Sequence, residues 1–241
     1  MPTIDELFAD VLRAGENVAR IREALTRASP DETTMISLLR RAVPVRLLEF
    51  VGAHPPWSDD PRVRGAVCRN PRAPRVLSLK LLPGLFWHDL AEVAASPWVH
   101  GAVRARAEGL LREMLPEMRL GERVTLGKIA TPAVLPLLLV DLEEKVVDAA
   151  LQNPRLREED LLIQIRATAA PVSLLEAIAR SPRWRDRYAV RLGLVLQPRT
   201  PVALALGQVS SLVKQDLLRV AEAPGLRPVV QAAALRVAGS V

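Results

Sequence analysis

The chain of 241 residues is 49% hydrophobic but only 3% aromatic, a composition that suits close packing of Leu, Val and Ala between helices better than a β-sandwich. Its 33 Lys and Arg residues exceed its 27 Asp and Glu residues, which gives a formal net charge of +6 at pH 7. Cys68 is the single cysteine in the sequence, which excludes an intramolecular disulfide and any metal site built from several cysteines.

The first sixty residues are acidic, with 7 Lys and Arg against 10 Asp and Glu. Within them, Thr3–Glu6 ("TIDE") has the pattern of a capping box and predicts the start of the first helix. The opening "MPTIDELFAD" carries acids where a signal peptide carries a basic region and an apolar stretch, so we expect a cytoplasmic protein. The longest apolar run, "AVLPLLLV" from Ala133, is too short to cross a bilayer, and we expect no membrane partner.

The stretch "GAHPPWSDDP" that follows the acidic segment is rich in turn-forming residues and predicts a boundary. We therefore predict an N-terminal helical cap over residues 1–55 and an array of helical repeats over residues 56–241. A cap is expected because the end of a repeat array needs a polar outer face.

Proline punctuates the chain at the junctions of helical apolar patterns, and the residue before it is often polar, as at Ser29, Ser96, Ser181 and Thr200. A residue before proline is held in extended backbone, which is the conformation of a helix N-cap. These positions therefore predict helix starts, and Ser29–Glu32 ("SPDE") predicts a second capping box.

One phrase occurs three times, at Asn70 ("NPRAPRVLSL"), Asn153 ("NPRLREEDLL") and Gln197 ("QPRTPVALAL"). Each is predicted to end one helix and start its neighbour, so these three residues are predicted structural turns. Pro154 and Pro198 lie 44 residues apart, and a period in the low forties with two helices per unit is typical of HEAT or armadillo arrays. We therefore predict an all-α fold of about a dozen helices, arranged as a right-handed α-solenoid of HEAT-like helical pairs.

The segments "RVRGAVCRNPRAPRVLSLKLL" and "KVVDAALQNPRLREEDLLIQI" resemble the leucine-rich-repeat-variant and HEAT-like repeats of bacterial solenoid proteins. In those repeats a helix ending in A-x-N-P precedes an apolar helix. The resemblance covers residues 61–240 and implies the solenoid fold, but not an activity. The founding leucine-rich-repeat-variant protein carries an iron–sulfur site on a cysteine cluster, which Cys68 alone does not reproduce.

Catalytic and metal-ligating patterns are nearly absent from the sequence. The three histidines, His54, His88 and His100, lie far apart and lack the spacing of metal ligands. Trp87–Asp89 ("WHD") sets an acid beside a histidine, a pattern more typical of a helix cap than of a catalytic base. No phosphate-binding loop or nucleophile elbow occurs. We expect no enzyme activity, no metal and no cofactor.

Two arginine clusters flank the predicted repeat junctions, and aromatic residues lie near them. The residues selected as a candidate basic ridge are Arg72, Arg75, Arg183, Arg185, Arg187, Arg199, Trp98 and Trp184. Such a ridge could follow phosphates while its rings stack on bases. Alternatively, the arginines bridge neighbouring repeats, by pairing with acids such as Asp186 or by laying their stems over helix ends.

The leading functional hypothesis is a non-enzymatic scaffold that binds a protein partner through the solenoid surface. The alternative is nucleic-acid binding through the arginine-rich junctions. The segment "SPRWRDRYAVRLGL" is similar to repeat helices of HEAT-like alkylpurine DNA glycosylases, and this likeness implies a Trp/Asp cleft whose residues no motif assigns here. A continuous basic groove with an exposed Trp would favour nucleic acid, whereas an apolar or mixed groove would favour a protein partner.

Overall fold

The computed structural model describes residues 3–240, which form seventeen α-helices and three short 3-10 helices and contain no β-strand. The all-α prediction is confirmed. The number of helices exceeds the predicted dozen. The α-helices range from 5 to 14 residues in length. The chain divides into two compact units, of which the first ends at Glu117 and the second begins at Met118.

The first unit is built from eight α-helices in two layers. The helices are α1 (Ile4–Ala14), α2 (Val18–Ala28), α3 (Glu32–Leu39), α4 (Val45–Ala53), α5 (Pro61–Arg69), α6 (Arg75–Leu81), α7 (Trp87–Ala95) and α8 (Gly101–Met114), with 3-10 turns at Trp57–Asp59, Leu82–Gly84 and Leu115–Glu117. Alternate helices pack on one another: α1 on α3, α3 on α5 and α5 on α7, and likewise α2 on α4, α4 on α6 and α6 on α8.

The second unit repeats this arrangement with nine α-helices. They are α9 (Leu120–Ile129), α10 (Leu135–Leu139), α11 (Glu144–Leu151), α12 (Glu158–Arg166), α13 (Val172–Arg180), α14 (Tyr188–Leu196), α15 (Val202–Val209), α16 (Lys214–Glu222) and α17 (Pro228–Ser240). One series stacks α9, α11 and α13, and the other stacks α10, α12, α14 and α16, while α15 packs on α17. Buried Val195, Leu217, Val220 and Ala234 form the core at the end of this unit.

The predicted cap packs within the first unit. Helix α3 contacts α5, and α4 contacts both α5 and α6, across the boundary proposed near residue 55. The division between compact units instead falls at residues 117 and 118. A separate capping role for residues 1–55, and the repeat character of residues 56–241, stay predictions.

The 44-residue spacing does not enclose one helical pair, so that part of the period interpretation is wrong. Three helices, α12, α13 and α14, lie between Pro154 and Pro198. The two prolines follow α11 and α14, which belong to different stacked series. Proline can end a helix of either series, because it interrupts helical hydrogen bonding wherever it occurs. The distance between two similar proline-containing phrases therefore does not measure the length of the structural repeat.

The two predicted capping boxes have opposite outcomes. The box at Thr3–Glu6 is confirmed, since the Glu6 amide donates to the Thr3 hydroxyl (3.3 Å) and the Thr3 amide donates to the Glu6 carboxylate (2.7 Å). The box at Ser29–Glu32 is wrong. Ser29 ends α2 in a left-handed conformation, with φ of 42°, and Asp31 caps α3 by accepting from the Thr34 amide at 2.8 Å.

The other serines before proline also end helices and do not begin them. Ser96 is the C-cap of α7 and Ser181 is the C-cap of α13, both with extended backbone. Thr200 does not cap α15 either, because Pro201 occupies the N-cap position, and the buried Thr200 hydroxyl has no hydrogen-bond partner in the described structure. The extended backbone expected before proline is found at Ser96 and Ser181 but not at Ser29. At Ser96 and Ser181 it terminates the preceding helix, and a turn intervenes before the next one.

Candidate functional site

The turn residues of the repeated phrase make one set of hydrogen bonds, each within its own unit. The side-chain amide of Asn153 donates to the carbonyl oxygens of Gly127 (2.8 Å) and Ala130 (3.1 Å), where α9 ends. Its Oδ1 accepts from the Arg155 amide at 2.8 Å and closes the turn. The last carbonyls of a helix lack partners within that helix, and Asn153 supplies partners for two of them from the turn after the stacked helix α11.

Asn70 and Gln197 repeat this pattern in their own surroundings. The Asn70 side-chain amide donates to the carbonyls of Leu39 and Arg41. The Gln197 side-chain amide donates to the carbonyls of Ile165 and Ala167. The first carbonyl lies 31 residues before Asn70, 26 before Asn153 and 32 before Gln197. All three amides are buried, so they hold stacked helices together and are not available to a ligand.

Trp184 takes a structural role in the second unit. Its ring is 2% exposed, and its Nε1 donates a 2.7 Å hydrogen bond to the carbonyl oxygen of Leu151. The guanidinium of Arg183 lies over the ring, 4.5 Å from its centroid, and donates to the carbonyls of Asn153 (2.6 Å) and Leu156 (3.0 Å). A ring covered in this way is not presented to a nucleic-acid base.

The remaining arginines of the predicted ridge in the second unit differ in how far they are engaged. Arg187 lies over the Trp184 ring at 5.8 Å and pairs with Glu158 at 3.0 Å. Arg185 has one long contact of 3.5 Å, to Asp186, and both side chains are exposed. The Arg199 side chain has no ion pair or hydrogen bond in the described part of the chain. Arg187 is therefore held by its partners, Arg185 is held by one long contact between exposed side chains, and the Arg199 side chain is free for a ligand.

The ridge residues of the first unit surround an exposed tryptophan. Trp98 is 75% exposed and lines a cavity of about 240 Å³ together with Arg75 and His100. Arg72 is also exposed, and its backbone amide closes the Asn70 turn. Arg72, Arg75 and Trp98 therefore lie on one part of the first unit, whereas the other ridge residues belong to the second unit.

A network of opposite charges lies on α5 and α7 of the first unit. Arg69 donates to the Asp89 carboxylate (3.1 Å) and to the Glu92 carboxylate. Burial raises the pKa of Asp89 above its ordinary value, and the nearby Arg69 charge opposes this shift. A Cβ added to Gly65 would lie 2.8 Å from the Asp89 carboxylate, so glycine is what lets Asp89 approach α5. Asp89 thus pairs with Arg69 across two helices and is not a helix cap.

A groove in the second unit, called the α14 groove here, has a volume of about 660 Å³. It is lined by Arg166, Thr168, Ala189, Leu192, Gly193, Leu196, Gln197, Pro198, Arg199 and Arg219. Its floor is a face of α14, on which Ala189, Leu192 and Leu196 recur with helical spacing. Its rim comes from the last residue of α12, from the turn after α14 and from α16.

Arginine is the only charged residue type that lines the α14 groove. The side chains of Arg166 and Arg199 are exposed and make no ion pair or hydrogen bond in the described structure. Arg219 pairs with Asp216 at 2.6 Å. The side-chain amide of Gln197 is already used on the carbonyls of Ile165 and Ala167, so it covers the negative end of α12 near the rim.

Tyr188 fixes the wall of the groove that carries Arg219. Its hydroxyl donates to the Asp216 carboxylate (2.6 Å) and accepts from the Val213 amide (3.2 Å) at the start of α16. This hydrogen bond lowers the pKa of Asp216, and burial raises the pKa of Tyr188. The contact joins the first residue of α14 to the first turn of α16, and thereby sets the position of Arg219 relative to the apolar floor.

Among the groove residues, sequence reasoning selected Arg199 for the basic ridge and Gln197 as a structural turn. Arg166 and Arg219 are missed because each is one arginine at the end of an ordinary amphipathic helix, where a cation also complements the helix dipole. The apolar residues of α14 do indicate a binding surface in the sequence. Leu192 and Leu196 make the apolar face of the helix wider than the core covers, and both stay only partly buried. No local pattern shows that this face and the two arginines share a groove.

The described residues contain no group of three or more His, Cys, Asp and Glu side chains arranged to hold a metal ion. No helix within residues 3–240 is long and apolar enough to span a membrane. No protein-family model matches the chain, and neither a curated protein nor a solved structure is significantly similar to it.

Proposed function

We propose that the protein is a non-enzymatic scaffold that binds a protein partner through the α14 groove. The observation that carries the proposal is the mixed character of this groove, which has an apolar floor of Ala189, Leu192 and Leu196 beneath exposed arginines. Protein-binding sites combine an apolar centre with a polar rim, and arginine is enriched in them. A surface that only followed phosphates would not need an apolar floor.

The proposal includes the architecture. In each unit, packing between alternate helices supports an α-solenoid of HEAT-like helical pairs, which we expect to be right-handed. The turn residues bond to carbonyls 26 to 32 residues earlier, a shorter repeat than the roughly 40–47 residues of HEAT and armadillo arrays. Short helices account for the shorter repeat. We expect the protein to act in the cytoplasm, where a single cysteine is unremarkable.

Nucleic-acid binding is the second candidate, and one observation in the first unit favours it. Exposed Trp98 lies beside Arg75 at the edge of a cavity, and Arg72 is exposed nearby. An exposed ring next to cations is the combination that stacks on a base and contacts its phosphate. A relationship to DNA glycosylases would require a reaction centre, for which no residue is proposed.

Affinity capture from a native lysate, with and without nuclease, tests the two candidates. We expect wild-type protein to retain a protein partner after nuclease treatment, and Leu192→Asp to lose it because a carboxylate is placed on the apolar floor. Leu235→Asp is the matched control, since Leu235 is an exposed leucine of the same unit outside the groove. Loss of the captured partner on nuclease treatment would favour nucleic acid. Loss of capture in Trp98→Ala but not in Leu192→Asp would favour it as well.

A further inference from the structure

We infer that the α14 groove takes an acidic peptide segment, with one large apolar side chain on Leu192 and Leu196 and flanking carboxylates paired with Arg166 and Arg199. This inference rests on the proposed function and names the chemistry of the partner. It follows from three properties of the groove, which are its charge, its floor and the groups that line it.

The charge of the groove is unbalanced within the second unit. No Asp or Glu lines it, and Arg166 and Arg199 have no acidic partner in the described structure. The surrounding sequence adds to this field, since residues 181–241 hold 9 Lys and Arg against 3 Asp and Glu. A bound carboxylate would accept two parallel hydrogen bonds from one planar guanidinium, a geometry that arginine favours.

The apolar floor of the groove favours binding of an apolar side chain at a position between Arg166 and Arg199. Leu192 and Leu196 are partly buried against the core of the unit and leave the rest of their surface to the groove. A volume of about 660 Å³ lies within the range of about 300–1,000 Å³ found for ligand pockets. Such a space holds a leucine-sized side chain of an extended segment, and removal of that side chain's apolar surface from water stabilises the complex.

The lining argues against a nucleic acid in this groove. Single strands are bound by aromatic rings that stack on the bases, along a track of cations. None of the residues that line the α14 groove is aromatic, and the nearest tryptophan in the sequence, Trp184, is buried. The apolar floor would be left against polar sugar and phosphate groups, whereas it matches a leucine or phenylalanine flanked by acids.

Fluorescence anisotropy tests the inference with a short fluorescein-labelled peptide in which a single leucine is flanked by glutamates. Two altered peptides, with Gln for Glu and with Ser for Leu, separate the charge from the apolar anchor, and a labelled single-stranded oligonucleotide represents nucleic acid. We expect the parent peptide to bind best. We expect Arg166→Gln/Arg199→Gln to weaken its binding about tenfold, since both exposed charge contacts to the peptide carboxylates are lost.

The control variant is Arg227→Gln/Arg236→Gln, which removes the same charge from exposed arginines of the same unit outside the groove. We expect it to change the affinity less than twofold. Leu192→Asp should abolish binding of the parent peptide, and circular dichroism reports whether it folds. If it does not fold, the two arginine variants, which alter exposed side chains only, still decide the question.

Equal binding of the three peptides, equal effects of the two arginine pairs, or preference for the oligonucleotide would each overturn the inference. The outcome is separable from the proposed function. If lysate capture depends on Leu192 while no acidic peptide binds, the groove binds a protein of other chemistry and only the inference fails. If capture does not depend on Leu192, the proposed function fails as well.

Discussion

The indole Nε1 of Trp184 donates a 2.7 Å hydrogen bond to the carbonyl oxygen of Leu151, the last residue of α11, and so ties the turn before α14 to the end of the earlier helix. Because the ring is buried, Trp184→Phe leaves this carbonyl without its partner. We expect a loss of about 1–3 kcal/mol in the free energy of unfolding, measured by urea denaturation.

Trp98→Phe is the matched control, since Trp98 is 75% exposed and no hydrogen bond of its indole nitrogen is seen. We expect this variant to stay within about 0.5 kcal/mol of wild type, as surface substitutions usually do. Equal effects of the two substitutions would contradict the structural role of Trp184.

The turn residues give a second prediction. Asn153→Ala removes the donor to the carbonyls of Gly127 and Ala130 and the acceptor of the Arg155 amide. We expect it to lower the free energy of unfolding by about 2–4 kcal/mol, because buried polar groups lose their partners. Gln152→Ala, a change to the exposed neighbouring amide, should be nearly neutral. Denaturation midpoints that move equally would show that Asn153 does not clamp α9 to α11.

Helix capping gives a third prediction, which separates Asp60 from Ser181. The Asp60 carboxylate accepts from the amides of Arg62 (2.8 Å) and Val63 (3.4 Å) at the start of α5. Asp60→Ala should therefore lower the free energy of unfolding by about 0.5–2 kcal/mol. Ser181 ends α13 and caps no first turn, so Ser181→Ala should change stability by less than about 0.5 kcal/mol. Thermal unfolding of both variants checks the order, and a larger effect at Ser181 would restore the N-cap interpretation.

Asp89 gives a fourth prediction, on pH. Burial raises the pKa of Asp89 above its ordinary value of 3.8, so between that pH and the folded pKa the folded protein holds more protons than the unfolded chain. The contribution of Asp89 to the free energy of unfolding is therefore lost as the pH rises through this window. We expect the stability of wild type minus that of Asp89→Asn to fall as the pH rises above about 3.8. A difference that rises instead would mean that the Arg69 ion pair outweighs burial.

Much of the local structure could be predicted from short stretches of sequence. Helical spacing of apolar residues and the extended backbone before proline act within one or two turns of chain, so the helices and the turns at Asn70, Asn153 and Gln197 follow from neighbouring residues. The capping box at Thr3–Glu6 is local for the same reason. The direction of the other caps was missed, because a residue in extended backbone suits the end of one helix as well as the start of the next.

The sequence by itself determined the helical class, the breaks between helices at many of the prolines and the excess of arginine over acids. Only the tertiary structure decided which arginines are used structurally and which are free. The Arg183 guanidinium donates hydrogen bonds to backbone carbonyls of an earlier turn, whereas Arg166 and Arg199 line one groove. Stacking of α12, α14 and α16 creates that groove from residues far apart in the chain, and such packing depends on burial summed over many distant contacts, which no local pattern encodes.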